Sequence, residues 1–208
     1  STLELLTGES PLDVVLDFSV QGVEQLNPAM LCSILLLDGE GKHLCKGIAP
    51  SLPDFYNAAL DGVEIGLGVG SCGEAAYTAE RVIVQDIATH PNWALYSELA
   101  SRAGLGACWS QPILSPSRQV LGTFAIYHRD KHAPTEADIY VIEQSARLAS
   151  IAIERKQMED EVRKLAFYDA LTELPNRRLL ADRLKQALAA SKRKGLYGAL
   201  LFLDLDNF

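Results

Sequence analysis

Asp204 and Asp206 stand two apart at the end of the apolar run ALLFLDLDNF, residues 199–208. Side chains alternate faces along a strand, so both carboxylates project from the same face. Paired carboxylates at a strand end suit a hard divalent cation and the phosphates it carries. The same spacing also occurs in a solvated turn after a buried strand, and on spacing alone that is the commoner case. The four cysteines, Cys32, Cys45, Cys72 and Cys108, are widely spaced and form no C-x-x-C pair. Three of them lie in apolar stretches, where a free thiol packs as a small hydrophobe. Four Cys and four His are the right ligand types for zinc but lack finger-like spacing. No metal or other cofactor is expected in the first domain.

The bulk properties narrow the classes. At 208 residues the chain suits one full domain and part of another. Apolar residues make up 48% and charged residues 22%, ample for a core and ordinary for a globular protein. The net charge is −8, from 19 basic and 27 acidic residues, which argues against nucleic acid or an anionic membrane as a general partner. No apolar run approaches the roughly 20 residues needed to span a bilayer, and no signal peptide is visible. With dispersed free cysteines, a cytoplasmic location is expected. The chain starts without Met and stops inside the LDLDNF run, which reads as a segment of a longer protein.

Chemistry needs elements to hold it, and the pattern supplies them. Ser10, Pro11 and Asp13 signal a helix start, with Ser10 as hydroxyl cap and Pro11 first in the helix. Leu12, Val15, Leu16, Val20 and Val23 then recur at helical spacing to about Asn27. The runs MLCSILLL and HLCKGIA, around Asp38–Gly41, read as a hairpin. Residues 52–61 read as a helix closed by Gly62, and GLGVGSCGEAAYTAE as a Gly-rich loop feeding a short helix. The strand VIVQD follows, and HPNWALYSELASRAG reads as a helix ending at Gly104. ACWSQPIL and VLGTFAIYH form a second hairpin across Ser115–Arg118. A long helix starts after Thr135, capped in a T-x-x-D pattern.

The order helix, hairpin, loop and helices, hairpin, long helix resembles that of GAF domains. The phrases GVGSCGEAAYT, VQDI, SQPI and VLGTFAIY match that family's pattern across residues 11–157. The resemblance implies a small-molecule sensor, its ligand held between the sheet and the loop-helix layer. It does not name the ligand. Candidate pocket residues by position are Cys72, Trp93, Tyr96, Trp109 and Gln111, an aromatic cleft with few polar groups. Taken singly, each aromatic is as well explained as a core residue with a satisfied polar tip. The loop lacks the Lys-Ser/Thr ending of a phosphate-binding P-loop.

A thiol redox enzyme is the alternative on the same fold. Cys72 in V-x-S-C-G resembles a cysteine of the free-methionine-sulfoxide reductases, and a thiol at a helix start is favoured as thiolate. The upstream cysteine of those enzymes is absent, and WSQPI follows Cys108 at once, where they carry a longer insert.

Residues 169–178, DALTELPNRR, followed by a helix and LFLDLDNF, resemble the opening of a GGDEF domain. Matching positions are Asp169, Leu171, Thr172, Leu174, Asn176, Arg177, Asp204, Asp206 and Phe208. Glu173 stands where many members carry Gly. The family implies a diguanylate cyclase that condenses two GTP into cyclic di-GMP, with Asp204 a ligand of Mg2+. The remaining metal and guanine ligands of that family fall beyond Phe208, so no catalytic residue is expected in this segment.

The expected fold class is therefore α+β: a GAF-type central antiparallel β-sheet flanked by helices, then a long signalling helix and a truncated α/β GGDEF start. The expected domains are 1–157 (GAF), 158–168 (coiled-coil-like helical linker) and 169–208 (incomplete GGDEF segment). Ile139, Ile142, Ala146, Ala149 and Ile153 form a narrow stripe, and Met158, Val162 and Leu165 continue it after a step of five, as a stutter would. A homodimer through the 136–167 helix is expected, with a small ligand on the sensor and GTP as substrate of the complete protein. A degenerate, non-catalytic GGDEF domain is the further alternative.

Overall fold

The computed structural model describes residues 10–195, 197 and 199–201. Asp204, Asp206 and Phe208 lie outside the described residues. The chain divides into two units, Ser1–Lys156 and Gln157–Phe208.

In the first unit, helix α1 (Leu12–Leu26) buries Val15, Leu16, Val20 and Val23 on one face. Its start differs from expectation. Pro11 is itself the cap, extended at φ −55° and ψ 146°, and no side chain caps the helix. Strands β1 (Leu31–Leu37) and β2 (His43–Ile48) form the first hairpin. Asp38 closes it, accepting from the Lys42 amide and contacting His43 Nδ1, both at 2.8 Å. Those two bonds, the amide first, hold the Asp38 carboxyl down to about 2. Helix α2 (Asp54–Leu60), strand β3 (Val63–Glu64), helix α3 (Gly70–Thr78) and strand β4 (Val82–Val84) follow. The stretch read as one helix from His90 is instead a 3-10 turn, Pro91–Trp93, and a separate α4 (Ser97–Arg102). Tyr96, at φ −114° and ψ 3°, breaks the helical path between them. The second hairpin is β5 (Ala107–Leu114) and β6 (Val120–His128), and α5 (Glu136–Phe167) is the long helix.

The six strands make one sheet in the order β3-β2-β1-β6-β5-β4, every pair antiparallel. Strand alternation splits its side chains between two layers. Cys32, Ile34, Trp109, Ile113, Phe124 and Ile126 pack on one face against α1 and against Ile142, Ala146, Ala149 and Ile153 of α5. Leu35, Cys108, Ala125 and Tyr127 pack on the other against Tyr56, Cys72, Ala76 and Trp93. Each large side chain so buried contributes about 1.5–3 kcal/mol. The glycine of VLGTFAIY has a steric reason: a Cβ on Gly122 would run into the Leu35 carbonyl of the paired strand β1.

Helix α5 begins with the expected capping box. Thr135 Oγ1 accepts from the Asp138 amide at 3.2 Å, and Asp138 Oδ2 accepts from the Thr135 amide at 2.8 Å. The expected seam needs correction. Ile142, Ala146, Ala149 and Ile153 are spent on the domain's own sheet, whereas Met158, Val162 and Leu165 are exposed. The step of five therefore joins two different faces and is no stutter in one seam.

In the second unit, DALTELPNRR is a turn and cap. Asp169 Oδ1 accepts from the amides of Leu171 and Thr172 and from Thr172 Oγ1, at 3.2, 3.0 and 2.9 Å. The Thr172 bonds come first among the causes that lower the Asp169 pKa. Asn176 caps α6 (Arg177–Lys194), its Oδ1 accepting from Arg178 and Leu179 amides, while its Nδ2 donates to the Ala166 carbonyl at 3.0 Å. Glu173 sits at φ +56°, a left-handed conformation that glycine adopts without cost.

Candidate functional site

The front layer holds a narrow, half-open apolar cleft with about 30 Å³ of free interior space. Its floor is sheet: Leu35 of β1, Leu44 of β2 and Tyr127 of β6. Its walls are Tyr56 and Leu60 of α2, Val63 of β3, the turn Val69–Gly73 opening α3, and Trp93, Tyr96 and Leu99.

Local sequence explains how α3 enters this wall. Gly68 and Gly70 take φ of +74° and +57°, so the chain can double back before the helix. A Cβ on Gly73 would sit 2.7 Å from Val69 Cγ1 and 2.8 Å from Val69 Cβ, so only glycine lets the turn close this tightly. The loop's amides are used internally: Gly68 donates to Glu74 Oε2 at 2.8 Å, Gly66 to the Gly73 carbonyl at 3.3 Å and Gly73 to the Val69 carbonyl at 3.1 Å.

The polar groups of the cleft are wired to one another. Trp93 Nε1 donates to Ser71 Oγ at 3.0 Å, and Ser71 Oγ donates to the Cys108 carbonyl at 3.3 Å. Tyr127 Oη meets Ser33 Oγ at 3.2 Å and Cys72 Sγ at 3.7 Å. The Tyr56 ring stands edge-on to Tyr127, centroids 5.9 Å apart. Tyr56 Oη is buried and forms no well-made hydrogen bond, although Tyr127 lies close by. A hydroxyl left so costs about 1–3 kcal/mol, and burial first pushes its pKa well up.

Beneath α3 lies a thiol pair. Cys108 and Tyr127 are cross-strand partners, and Cys72 reaches down to both. The Cys108 thiol, then the Ser110, Tyr127 and Thr123 hydroxyls, hold the Cys72 thiol down to about 7 against its burial. Ser110 Oγ and Thr123 Oγ1 make no other hydrogen bond. Burial and the neighbouring Cys72 push Cys108 well above its usual value. Of the two thiols, Cys72 is the one that reaches the cleft wall.

Of the residues read from the sequence, the fold brings Cys72, Trp93 and Tyr96 together in the cleft lining. It sets Trp109 and Gln111 on the opposite face of β5. Trp109 packs in the back layer, stacked with His128 and His132, its Nε1 donating to the His132 carbonyl. Gln111 accepts from Arg81 Nε at 2.6 Å, and Arg81 bonds Glu143 of α5. The reason is alternation: the even positions of β5 face the cleft side and the odd ones the helices. Tyr56, Tyr127, Cys108 and Ser110 were missed, although the period of two from Cys108 to Ser110 was a usable signal. Among the described residues no group of three or more His, Cys, Asp or Glu is arranged to hold a metal ion, and no helix is long and apolar enough to cross a membrane.

An antiparallel sheet with an apolar cleft beneath a loop-helix layer, and a long helix packed on the opposite face, defines a sensory-type α+β module. The family profile described as a GAF domain matches residues 9–154, and that described as the GGDEF domain of diguanylate cyclases matches residues 166–208. The chain belongs to the GAF domain family, and its GAF domain is followed by the start of a GGDEF domain. It is 40% identical over 162 residues to a methyl sulfide methyltransferase-associated sensor of Methanosarcina acetivorans, covering 78% of this chain and 16% of that protein. It is 44% identical over 63 residues to the bifunctional diguanylate cyclase/cyclic di-GMP phosphodiesterase MucR of Pseudomonas aeruginosa, covering 30% of this chain and 9% of that protein. The chain therefore spans a small part of either relative. Among solved structures it resembles a methyl-accepting chemotaxis protein domain, TM-score 0.63 at 21% identity, over 76% of this chain and 98% of that one. It also resembles the free methionine-R-sulfoxide reductase of Neisseria meningitidis, TM-score 0.58 at 16% identity, over 76% of this chain and 87% of that one.

Proposed function

We propose that this chain is the sensing and transmitting segment of a cyclic di-GMP signalling protein. In this reading the GAF cleft takes a small ligand, and α5 carries the bound state to a C-terminal diguanylate cyclase domain. The observation that carries it is one helix, Glu136–Phe167, packed on the sensor at its start and leading into the DALTELPNRR turn and cap at its end. Cyclising two GTP needs two facing half-sites, so a homodimer through this helix suits the reaction. The exposed face supports it. Leu148, Ile151, Arg155, Met158, Val162 and Leu165 follow an unbroken 3-4 spacing, and the five apolar ones are 37–68% exposed. Ligand binding would bias two rotational or register states of the paired helices. In the complete cyclase domain Asp204 would help hold Mg2+ and the GTP phosphates.

The test is cyclic di-GMP synthesis by the full-length protein carrying insertions between Arg155 and Phe167. A heptad preserves control and four residues disrupt it; equal silence of both reduces the helix to a tether. No turnover in any form favours a regulator with a degenerate GGDEF domain.

The Cys72–Cys108 pair supports a second reading, thiol reduction of a sulfoxide. The two thiols would close to a disulfide, the sulfoxide oxygen would leave as water, and an external dithiol would restore the pair. Failure to reduce free methionine sulfoxide with dithiothreitol present would exclude it.

A further inference from the structure

The cleft has two chemically different ends. Its outer walls, from Leu60, Val63 and Leu99, are apolar. At its inner end the Tyr56 hydroxyl, fully buried, lies beside Tyr127 and has no well-formed partner. The lining carries no Asp, Glu, Lys, Arg or His side chain. Within the Gly-rich turn, Gly66, Gly68 and Gly73 spend their amides on the turn itself and on Glu74. The charge bonded at that edge is the Glu74 carboxylate itself, which also accepts from Asn92 Nδ2 at 2.6 Å. An anion entering here would be desolvated without a counter-ion and would meet a like charge.

Building on the sensing role proposed above, we infer that the cleft selects a small, uncharged, mainly apolar molecule bearing one hydrogen-bond acceptor, such as a carbonyl or ether oxygen. The Tyr56 hydroxyl donates to that acceptor, and the apolar body lies against the Leu and Val walls. Nucleotides, phosphates and amino acids find no cationic side chain in this lining and are disfavoured. Tyr56 is a binding residue in this scheme, and its empty hydrogen-bonding capacity is the feature that sets specificity.

The two tryptophans supply a built-in control, since Trp93 lines the cleft and Trp109 lies across the sheet. Uniformly 15N-labelled protein is titrated with three probes of similar shape: acetophenone, its apolar counterpart α-methylstyrene, and benzoate. The expected result is a saturable shift of the Trp93 indole N–H with acetophenone while Trp109 stays still, and no saturable shift with benzoate. Tyr56→Phe, which removes only the unpaired hydroxyl, is expected to weaken acetophenone about tenfold, one hydrogen bond's worth, and to leave α-methylstyrene unchanged. Benzoate binding as tightly as acetophenone overturns the uncharged class and spares the sensing cleft. Acetophenone binding that ignores Tyr56→Phe overturns the anchor. No saturable shift of Trp93 with any of the three overturns the sensing cleft itself.

Discussion

Replacing Gly73 by alanine tests whether the tight turn into α3 shapes the cleft. The new Cβ would lie 2.7 Å from Val69 Cγ1 and 2.8 Å from Val69 Cβ. Rotating the valine can remove the first contact but not the second, because Cβ moves only with the backbone. Overpacking of this kind costs about 1–3 kcal/mol, and the rigid contact places it in the upper half of that range. Alanine at a helical position returns about 1 kcal/mol relative to glycine. The net expectation is a loss of about 1–2 kcal/mol, which lowers a urea midpoint by roughly 0.5–1 M at an ordinary slope. Tryptophan fluorescence reads the right unit, since Trp93 and Trp109 both lie within Ser1–Lys156. The double-mutant cycle with Val69→Gly, which removes both clashing atoms, isolates the contact. Gly73→Ala should then become neutral or stabilising, with a coupling energy of about 2–3 kcal/mol. Gly73→Ala costing the same in both backgrounds would refute the steric argument.

Two further outcomes follow from the geometry. Cys72 is held down to about 7 by the Cys108 thiol and neighbouring hydroxyls, so although all three thiols are buried, peptide mapping should find it alkylated by iodoacetamide at lower pH than Cys108 and Cys32, whose values are raised. Because the folded value lies below the unfolded one, the linked stability is full above the unfolded thiol value of about 8.5 and is lost as pH falls through about 7; Cys72→Ala should flatten stability against pH in that window. Glu173→Gly relieves a non-glycine residue at φ +56° and should stabilise the DALTELPNRR turn by about 0.5–1 kcal/mol, seen as slower hydrogen exchange at the Asp169 and Asn176 amides; faster exchange would show that the Glu173 side chain matters more than its backbone.

Much of the architecture was legible because it rests on local physics. Helical spacing located the buried face of α1, the Asp38–Gly41 and Ser115–Arg118 turns located both hairpins, and the T-x-x-D box located the start of α5. DALTELPNRR was legible as a motif, but its described role, an Asp169 turn joined to an Asn176 cap, emerged only from the hydrogen bonds. The helix read from His90 failed at Tyr96, whose φ of −114° and ψ of 3° leave the helical path.

The cleft was the harder part. Alternation along β5 required that Cys108 and Ser110 share one face and Trp109 and Gln111 the other, yet nothing local says which face meets α3. That was decided by pairing with β6 and by the helices that cover each side. Tyr56 and Tyr127 lie far apart in the chain and meet only because α2 folds over the sheet. The long helix shows the same division. Its spacing carried two apolar stripes, and only the packed sheet assigned Ile142–Ile153 to the domain's own core and left Leu148–Leu165 outward. The sequence by itself determined the elements, the family and the turn chemistry, since these depend on neighbours within a few residues. The tertiary structure decided which side chains face one another, because burial is settled by which surfaces the whole chain brings together.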